Sequence, residues 1–260
     1  MALLHVLAML RRTLGHELVA HGVDHGLRPA ASAELGLVEA LCRKLGLSFE
    51  VTRVSIPNEG NLQAHAREAR HRALQDAAAR VGASVVALGH TADDKAETVL
   101  LRLLRGAGPR GLSVLPSRSA PPFGPSERAE LPSSGRDLVR PIIRARRFDV
   151  MAHLARHEIA FADDPSNLDP RFSRVRVRHE VLPLLEELSP RVVEHLCALA
   201  DMLLAEPLLP TPLSGLGRAQ REAISRARGR GERIVKIRVK GAEELAVTFP
   251  DGDIVLTEKG

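Results

Sequence analysis

Short apolar runs alternate with longer stretches of helical spacing over the first 105 residues, and this alternation leaves few architectures open. After a helical opening at residues 1–12, residues 17–23 read as a buried strand. Residues 32–45 then place Leu35, Val38, Leu41, Cys42 and Leu45 on one helical face. Residues 49–54 alternate as a strand does, and residues 61–81 form a long helix rich in Ala and Arg. Ser84-Val85-Val86-Ala87-Leu88 is a short apolar run of the parallel-sheet type, followed directly by a helix at 92–105. Strand–helix–strand rhythm of this kind predicts an α/β fold, an open parallel sheet with helices on both faces.

The rhythm then fades. Residues 115–135 hold five Pro and five Ser, the composition of a surface loop. A further strand is expected at 138–141. Helices follow at 146–157 and 175–188, joined by Asp163-Asp164-Pro165-Ser166-Asn167. Pro207, Pro210 and Pro212 break the chain, so three parts are expected: 1–145, a helical extension at 146–206, and a small C-terminal segment at 207–260. The last part reads as a basic helix at 218–228 and a hairpin. That hairpin pairs 245–249 with 254–257 across Asp251-Gly252.

Charge and composition narrow the function classes. Residues 218–240 carry nine Arg or Lys against two Glu, a net of +7, so the rest of a chain of net charge +5 sums to −2. A basic segment of this density fits a polyanionic partner, and equally a solvated helix face beside a charged strand. With six Phe and neither Trp nor Tyr, base-stacking platforms are a poor means of gripping nucleic acid here. Cys42 and Cys197 stand far apart, which excludes a disulfide scaffold, an iron–sulfur cluster and a cysteine zinc site. A reducing cytoplasmic setting is expected. No apolar run approaches the ~18 residues of a membrane span. Arg11 and Arg12 follow the apolar opening, the reverse of a signal peptide's order.

Three segments carry chemistry-bearing residues. Gly89-His90-Thr91-Ala92-Asp93-Asp94-Lys95-Ala96-Glu97-Thr98 follows a buried strand, where open α/β sheets bind ligands. Paired carboxylates there can hold Mg²⁺ or an ammonium group. Thr91 and Asp94 also make a helix capping box, which by itself needs only one acidic residue. His21-Gly22-Val23-Asp24-His25-Gly26-Leu27-Arg28 ends another strand. Its His and Asp residues alternate faces, so it reads as a pocket-lining loop in preference to a zinc site. In Asn61 to His71, Arg67 and Arg70 share a helix face and can reach a phosphate or simply solvent.

As a set, these segments resemble the tRNA(Ile)-lysidine synthetase family of the PP-loop ATP pyrophosphatases. The matching pieces are Val23 to Arg28, Asn61 with Ala66-Arg67-Glu68-Ala69-Arg70, Gly89 to Thr98, and Leu101 to Gly106. Arg140-Pro141, Asp164 to Asn167, and Arg174, Arg176 and Arg178 complete them. The resemblance covers about residues 1–190. It implies an adenine nucleotide α-hydrolase-like sheet, ATP and Mg²⁺ as cofactors, and free L-lysine and the CAU-anticodon tRNA(Ile) as partners. Such enzymes adenylate O2 of the wobble cytidine, releasing pyrophosphate, and the lysine ε-amine then displaces AMP. By resemblance Asp93 takes a catalytic or lysine-binding role and Arg67 contacts the nucleotide or intermediate. His90, Asp94, Asp24 and Arg70 line the pocket, with Asp94 also toward Mg²⁺. Arg174, Arg176, Arg178 and the basic tail meet tRNA phosphates. No membrane is implied, and a homodimer is compatible with the family.

The sequence departs from the family pattern at Lys95, where Gln is usual, at His71, where Tyr is usual, and at Val175, where Asn is usual. The family's Ser-Gly-Gly-x-Asp-Ser phosphate loop would stand immediately before Met1. The expectation is therefore a start upstream of Met1, with the sheet's first, central strand outside residues 1–260. These residues by themselves are expected to fold poorly, leaving Val19, Val86 and Leu88 uncovered. The alternatives are a non-catalytic tRNA-binding remnant and another PP-loop tRNA-modifying enzyme. A thiolating one would need a cysteine cluster.

Overall fold

The computed structural model describes residues 1–24, 26, 30–55, 62–120, 136–162, 169–205, 218–230, 234–239, 242–248 and 255–258. They fall into two compact units, Met1–Leu204 and Ala205–Gly260.

The first unit opens with α1 (Ala2–Leu14), closed by Gly15 at φ 64°. β1 (Val19–Asp24) and β2 (Ser48–Arg53) pair in parallel, connected by α2 (Ala30–Leu45). A Cβ on Gly22 would meet Leu35 Cδ2 of α2 at 2.6 Å and Phe49 of β2 at 3.2 Å, so any side chain here would force the Leu35 side chain to move. Long α3 (Leu62–Arg80) leads to β3 (Val85–Ala87), and α4 (Ala92–Leu104) follows. β3 pairs in parallel with β5 (Asp137–Val139). The alternation of apolar runs and helical stretches thus gives the parallel α/β architecture.

Two short elements lie between α4 and β5: α5 (Pro109–Leu112) and β4 (Arg118–Ser119). β4 pairs antiparallel with β5, so the Pro- and Ser-rich stretch contributes an edge strand before entering residues 121–135, which lie outside the described ones. Among the described strands the parallel sheet comes in two pieces, β1–β2 and β3–β5–β4. Val86 is well covered, contrary to expectation: with Ala78 and Leu138 it forms a core cluster against which Leu88 packs. Val19 stays 45% exposed.

The helical part comprises α6 (Arg147–Arg156), α7 (Ser173–Arg176), α8 (Leu182–Leu188) and α9 (Val192–Ala205). A π-helical turn at Val177–Val181 joins α7 to α8. Ala92, Ala96 and Val99 give α4 an apolar face. The first two pack with Val177, Leu182 and Val193, while Val99 joins Leu112, Val114 and Ala200. α4 is therefore buried from two directions, which fixes the residues at its N-terminus. α9 lies within the stretch read as a helical extension, outside the helices expected at 146–157 and 175–188, and its Val193 and Ala200 are fully buried.

In the second unit, α10 (Arg218–Gly229) precedes an antiparallel sheet of β6 (Ile234–Val239), β7 (Ala242–Thr248) and β8 (Val255–Glu258). The β7–β8 pair is the expected hairpin, closing at Thr248 opposite Val255, and β6 adds a strand to it. The Asp251-Gly252 turn lies outside the described residues, as does the Pro207–Pro212 break. Among the described residues no helix is long and apolar enough to cross a membrane.

Candidate functional site

The start of α4 is fixed by a reciprocal cap. The Asp94 backbone N–H donates to Thr91 Oγ1 at 3.3 Å, and the Thr91 N–H donates to Asp94 Oδ2 at 2.9 Å. One oxygen of the Asp94 carboxylate is therefore committed to the cap. Its other oxygen, Oδ1, accepts from Arg174 Nη2 at 2.9 Å. Both oxygens of Asp94 are thus engaged, and any cation meeting Asp94 would share Oδ1 with Arg174.

Asp93 points elsewhere. Its carboxylate accepts from Arg146 Nη2 at 3.1 Å and from the Arg147 backbone N–H at 2.6 Å. Arg146 also reaches Glu186 and Glu194. Burial works against its charge, but the hydrogen bonds it donates to Asp93 and Glu186 outweigh that and hold its pKa above the ordinary arginine value. Asp93 therefore ties α4 to the first turn of α6, where a carboxylate also suits the helix dipole.

A cationic group gathers beside this cap. His90 lies just past β3, and Arg67, Arg70 and His71 stand on α3. Arg140 follows β5 and Arg174 lies on α7. Desolvation, followed by repulsion from Arg70, Arg67, His90 and Arg140, lowers the His71 pKa to about 4. Desolvation also lowers His90 to about 4; Asp94 opposes the fall while Arg140, Arg70 and Arg174 add to it. Both imidazoles are neutral at pH 7. Desolvation and the charges of Arg67 and Arg174 likewise pull down the Arg70 guanidinium. Arg140 is buried, and its Nη1 donates to Pro116 O and Ser119 Oγ, yet among the described residues its Nε has no partner. His71 Nδ1 and His90 Nδ1 are likewise buried without one. Arg174 is balanced by Asp94 and Glu97, whereas buried Arg140 keeps an unpartnered Nε that an anion could meet.

The other expected residues disperse. Asp24 Oδ1 accepts from the Gly26 N–H at 2.9 Å and closes a turn after β1. His21 turns toward β2, with Nε2 2.9 Å from Thr52 Oγ1, so it shares no metal site with Asp24. Of the three arginines expected to meet phosphates, Arg174 and Arg178 turn inward to Glu97 and Asp94. Arg176 stays outside, paired with Glu180 one turn on. His25, Leu27, Arg28, Asn61 and Asp164 to Asn167 lie outside the described residues.

The PP-loop domain family matches residues 1–185. The chain belongs to the PP-loop family. It is 40% identical over 211 residues to a tRNA(Ile)-lysidine synthase of Pseudomonas aeruginosa, covering 80% of this chain and 44% of that protein. Identity is 43% over 189 residues with the Rhodopseudomonas palustris synthase, covering 71% of this chain and 51% of the relative. With the Leifsonia xyli synthase it is 35% over 240 residues, covering 92% and 60%. The chain thus spans about half the length of the curated relatives it matches. The U34-tRNA thiolase of Methanococcus maripaludis has the same fold, with a TM-score of 0.60 at 15% identity over 81% of this chain and 72% of that one.

In this PP-loop domain three further residues carry the site without having been assigned roles. Glu97 is buried and holds Arg174 and Arg178. Its place one turn after Asp93 and Asp94 was the signal for it, since i+3 and i+4 share a helix face. Lys95 is buried and pairs with Asp201 of α9. Arg146 had no signal in the sequence, because its partners come from three separate helices.

Proposed function

We propose that the protein modifies tRNA by joining free L-lysine to C2 of the wobble cytidine in the CAU anticodon of tRNA(Ile), at the expense of ATP. Adenylation of the cytidine O2 breaks the α–β phosphate bond and releases pyrophosphate. The ε-amine, having lost a proton, then forms the C–N bond, and AMP leaves with the oxygen.

The observation that carries this reading is the group of Arg67, Arg70, Arg140 and Arg174 around neutral His71 and His90, beyond the carboxyl end of β3. Cations within electrostatic reach of one another suit the phosphates of a nucleotide and the charge that develops as pyrophosphate departs. Asp94 is the carboxylate within this group, and Mg²⁺ that arrives with the nucleotide would meet it there, spreading the phosphate charge. Asp93 acts at the α4–α6 junction beside it. The basic segment 218–240 and exposed Arg176 supply phosphate contacts to the tRNA, and the reaction takes place in the cytoplasm. Sulfur transfer suits this chain less well. Burial raises both described thiols, Cys197 to about 11, so thiolates are scarce.

The decisive measurement is lysine-dependent pyrophosphate release with the CAU-anticodon tRNA, run on wild type, Arg67→Ala and Asp93→Asn. Wild type should require all three substrates, and each variant should lose about 10²-fold in turnover. Because adenylation precedes the lysine step, the first turnover needs no lysine; pyrophosphate release over many turnovers that is indifferent to lysine, or variants within about twofold of wild type, would overturn the assignment.

A further inference from the structure

Away from the cationic group, α1 and α6 bring three histidines together. His5 lies on α1, and His153 and His157 lie on α6, four residues apart and so on one face. His157 caps the C-terminal end of α6. The ring centroids of His153 and His157 are 4.6 Å apart, those of His5 and His157 4.6 Å, and those of His5 and His153 5.1 Å. One nitrogen from each ring lies within 4.8 Å of the other two. His5 Nδ1 and His153 Nε2 approach to 3.0 Å.

We infer that His5, His153 and His157 form a binding site for a borderline divalent transition-metal ion, of which Zn²⁺ is the archetype.

Three lines of chemistry point the same way. The first is ligand spacing. Nitrogens bound to one tetrahedral Zn²⁺ at ~2.0–2.1 Å stand about 3.3 Å from one another. The His5–His153 pair is already at 3.0 Å, and rotation of the exposed His157 ring would bring in the third nitrogen. The second is ligand type. Three imidazoles without a thiolate favour Zn²⁺, Co²⁺, Ni²⁺ or Cu²⁺ over Mg²⁺ or Ca²⁺, which take oxygen. The third is protonation. Desolvation, with repulsion from His157, lowers the His5 and His153 pKa values, which favours the unprotonated form that can ligate. Nearby Arg156 adds to the effect on His153.

The surroundings leave room for a fourth ligand. A hollow of about 260 Å³ beside His153 is lined by Asp149, Ala152 and Arg156. It borders His153, and Asp149, whose Oδ2 accepts the Arg146 N–H at 2.8 Å, lies one turn before that histidine. The scaffold is firm, since Ala2, Leu41, Leu154 and Ile159 pack beneath the histidines in one core cluster. An ion here would staple α1 to α6. The first turn of α6 grips Asp93, so the staple would also stiffen the junction at α4.

The test is titration of the metal-free protein with ZnCl₂ by calorimetry and with CoCl₂ by visible absorption, on wild type, His157→Gln, His153→Gln and His16→Gln. His157 and His16 are both exposed, so either substitution spares the core. Wild type should bind one Zn²⁺ with a micromolar or tighter dissociation constant. Co²⁺ should give the intense absorption of a four-coordinate site. His157→Gln and His153→Gln should each weaken binding by tenfold or more, and His16→Gln should leave it unchanged. Zinc at ~100 times its dissociation constant should raise the Tm of wild type and of His16→Gln alone. Binding weaker than about 100 µM, or binding that His157→Gln leaves intact, would overturn the assignment.

Discussion

Glu97 and Arg178, 81 residues apart, form a two-point ion pair in which Nε donates to Oε1 at 2.6 Å and Nη2 to Oε2 at 3.1 Å. Arg174 adds a third donor, Nε to Oε2 at 2.7 Å. The Glu97 side chain is only 2% exposed, so its charge is compensated almost entirely by these two arginines, which the π-helical turn and α7 carry to it.

Glu97→Gln should therefore cost stability without a change in shape. It leaves two guanidinium groups facing a neutral amide. Breaking a fully buried pair costs about 3–5 kcal/mol, and Arg174 is half open to water, so about 1–3 kcal/mol is expected. Urea denaturation of wild type and variant reads this as a lower midpoint at equal slope. A midpoint shift worth less than about 0.5 kcal/mol, the scatter of surface substitutions, would show that the pair contributes nothing net.

Lys95 and Asp201 should behave as a matched pair. The buried ammonium of Lys95 meets the Asp201 carboxylate of α9. Asp201→Ala alone should destabilise by about 1–3 kcal/mol, because it strands a buried charge. In a Lys95→Gln background the same change should be nearly neutral. A double-mutant cycle measures the difference, and additive effects would mean that the two charges do not interact.

Stability should fall with acid in a window set by His71 and His90. Both have folded pKa values of about 4 against an ordinary 6.5, lowered by desolvation and by Arg70, Arg67, Arg140 and Arg174. The folded state therefore binds fewer protons than the unfolded state between those values. Their contribution is complete above pH 6.5 and is lost as pH drops toward 4. Denaturation midpoints from pH 7.5 to 4.5 should decline, and His71→Phe should flatten the decline. An unchanged slope in that variant would mean that His71 protonates freely in the folded protein.

Arg70→Gln should separate binding from folding. Desolvation and repulsion from Arg67 and Arg174 all work against the Arg70 charge. Removing it should leave Tm unchanged or raised. Mg·ATP binding should weaken by about 10–100-fold, the value of one charge-assisted hydrogen bond. Unaltered nucleotide affinity would remove Arg70 from the site.

By itself the sequence determined the local and periodic features. The apolar run Val85–Ala87, the capping pair Thr91 and Asp94 and the face of Ala92, Ala96 and Val99 each depend on residues within a turn or two. Propensity and spacing specify them directly. The family motif around His90, Asp93 and Asp94 is legible for the same reason, being continuous. Only the tertiary structure decided what those groups touch. It sends Asp93 to Arg146, turns Arg174 and Arg178 inward to Glu97, buries Lys95 against Asp201, and sets His5 beside His153. These partners lie between 53 and 148 residues apart. Long-range pairing of charges follows from which helix faces the core brings together, and no local pattern encodes that.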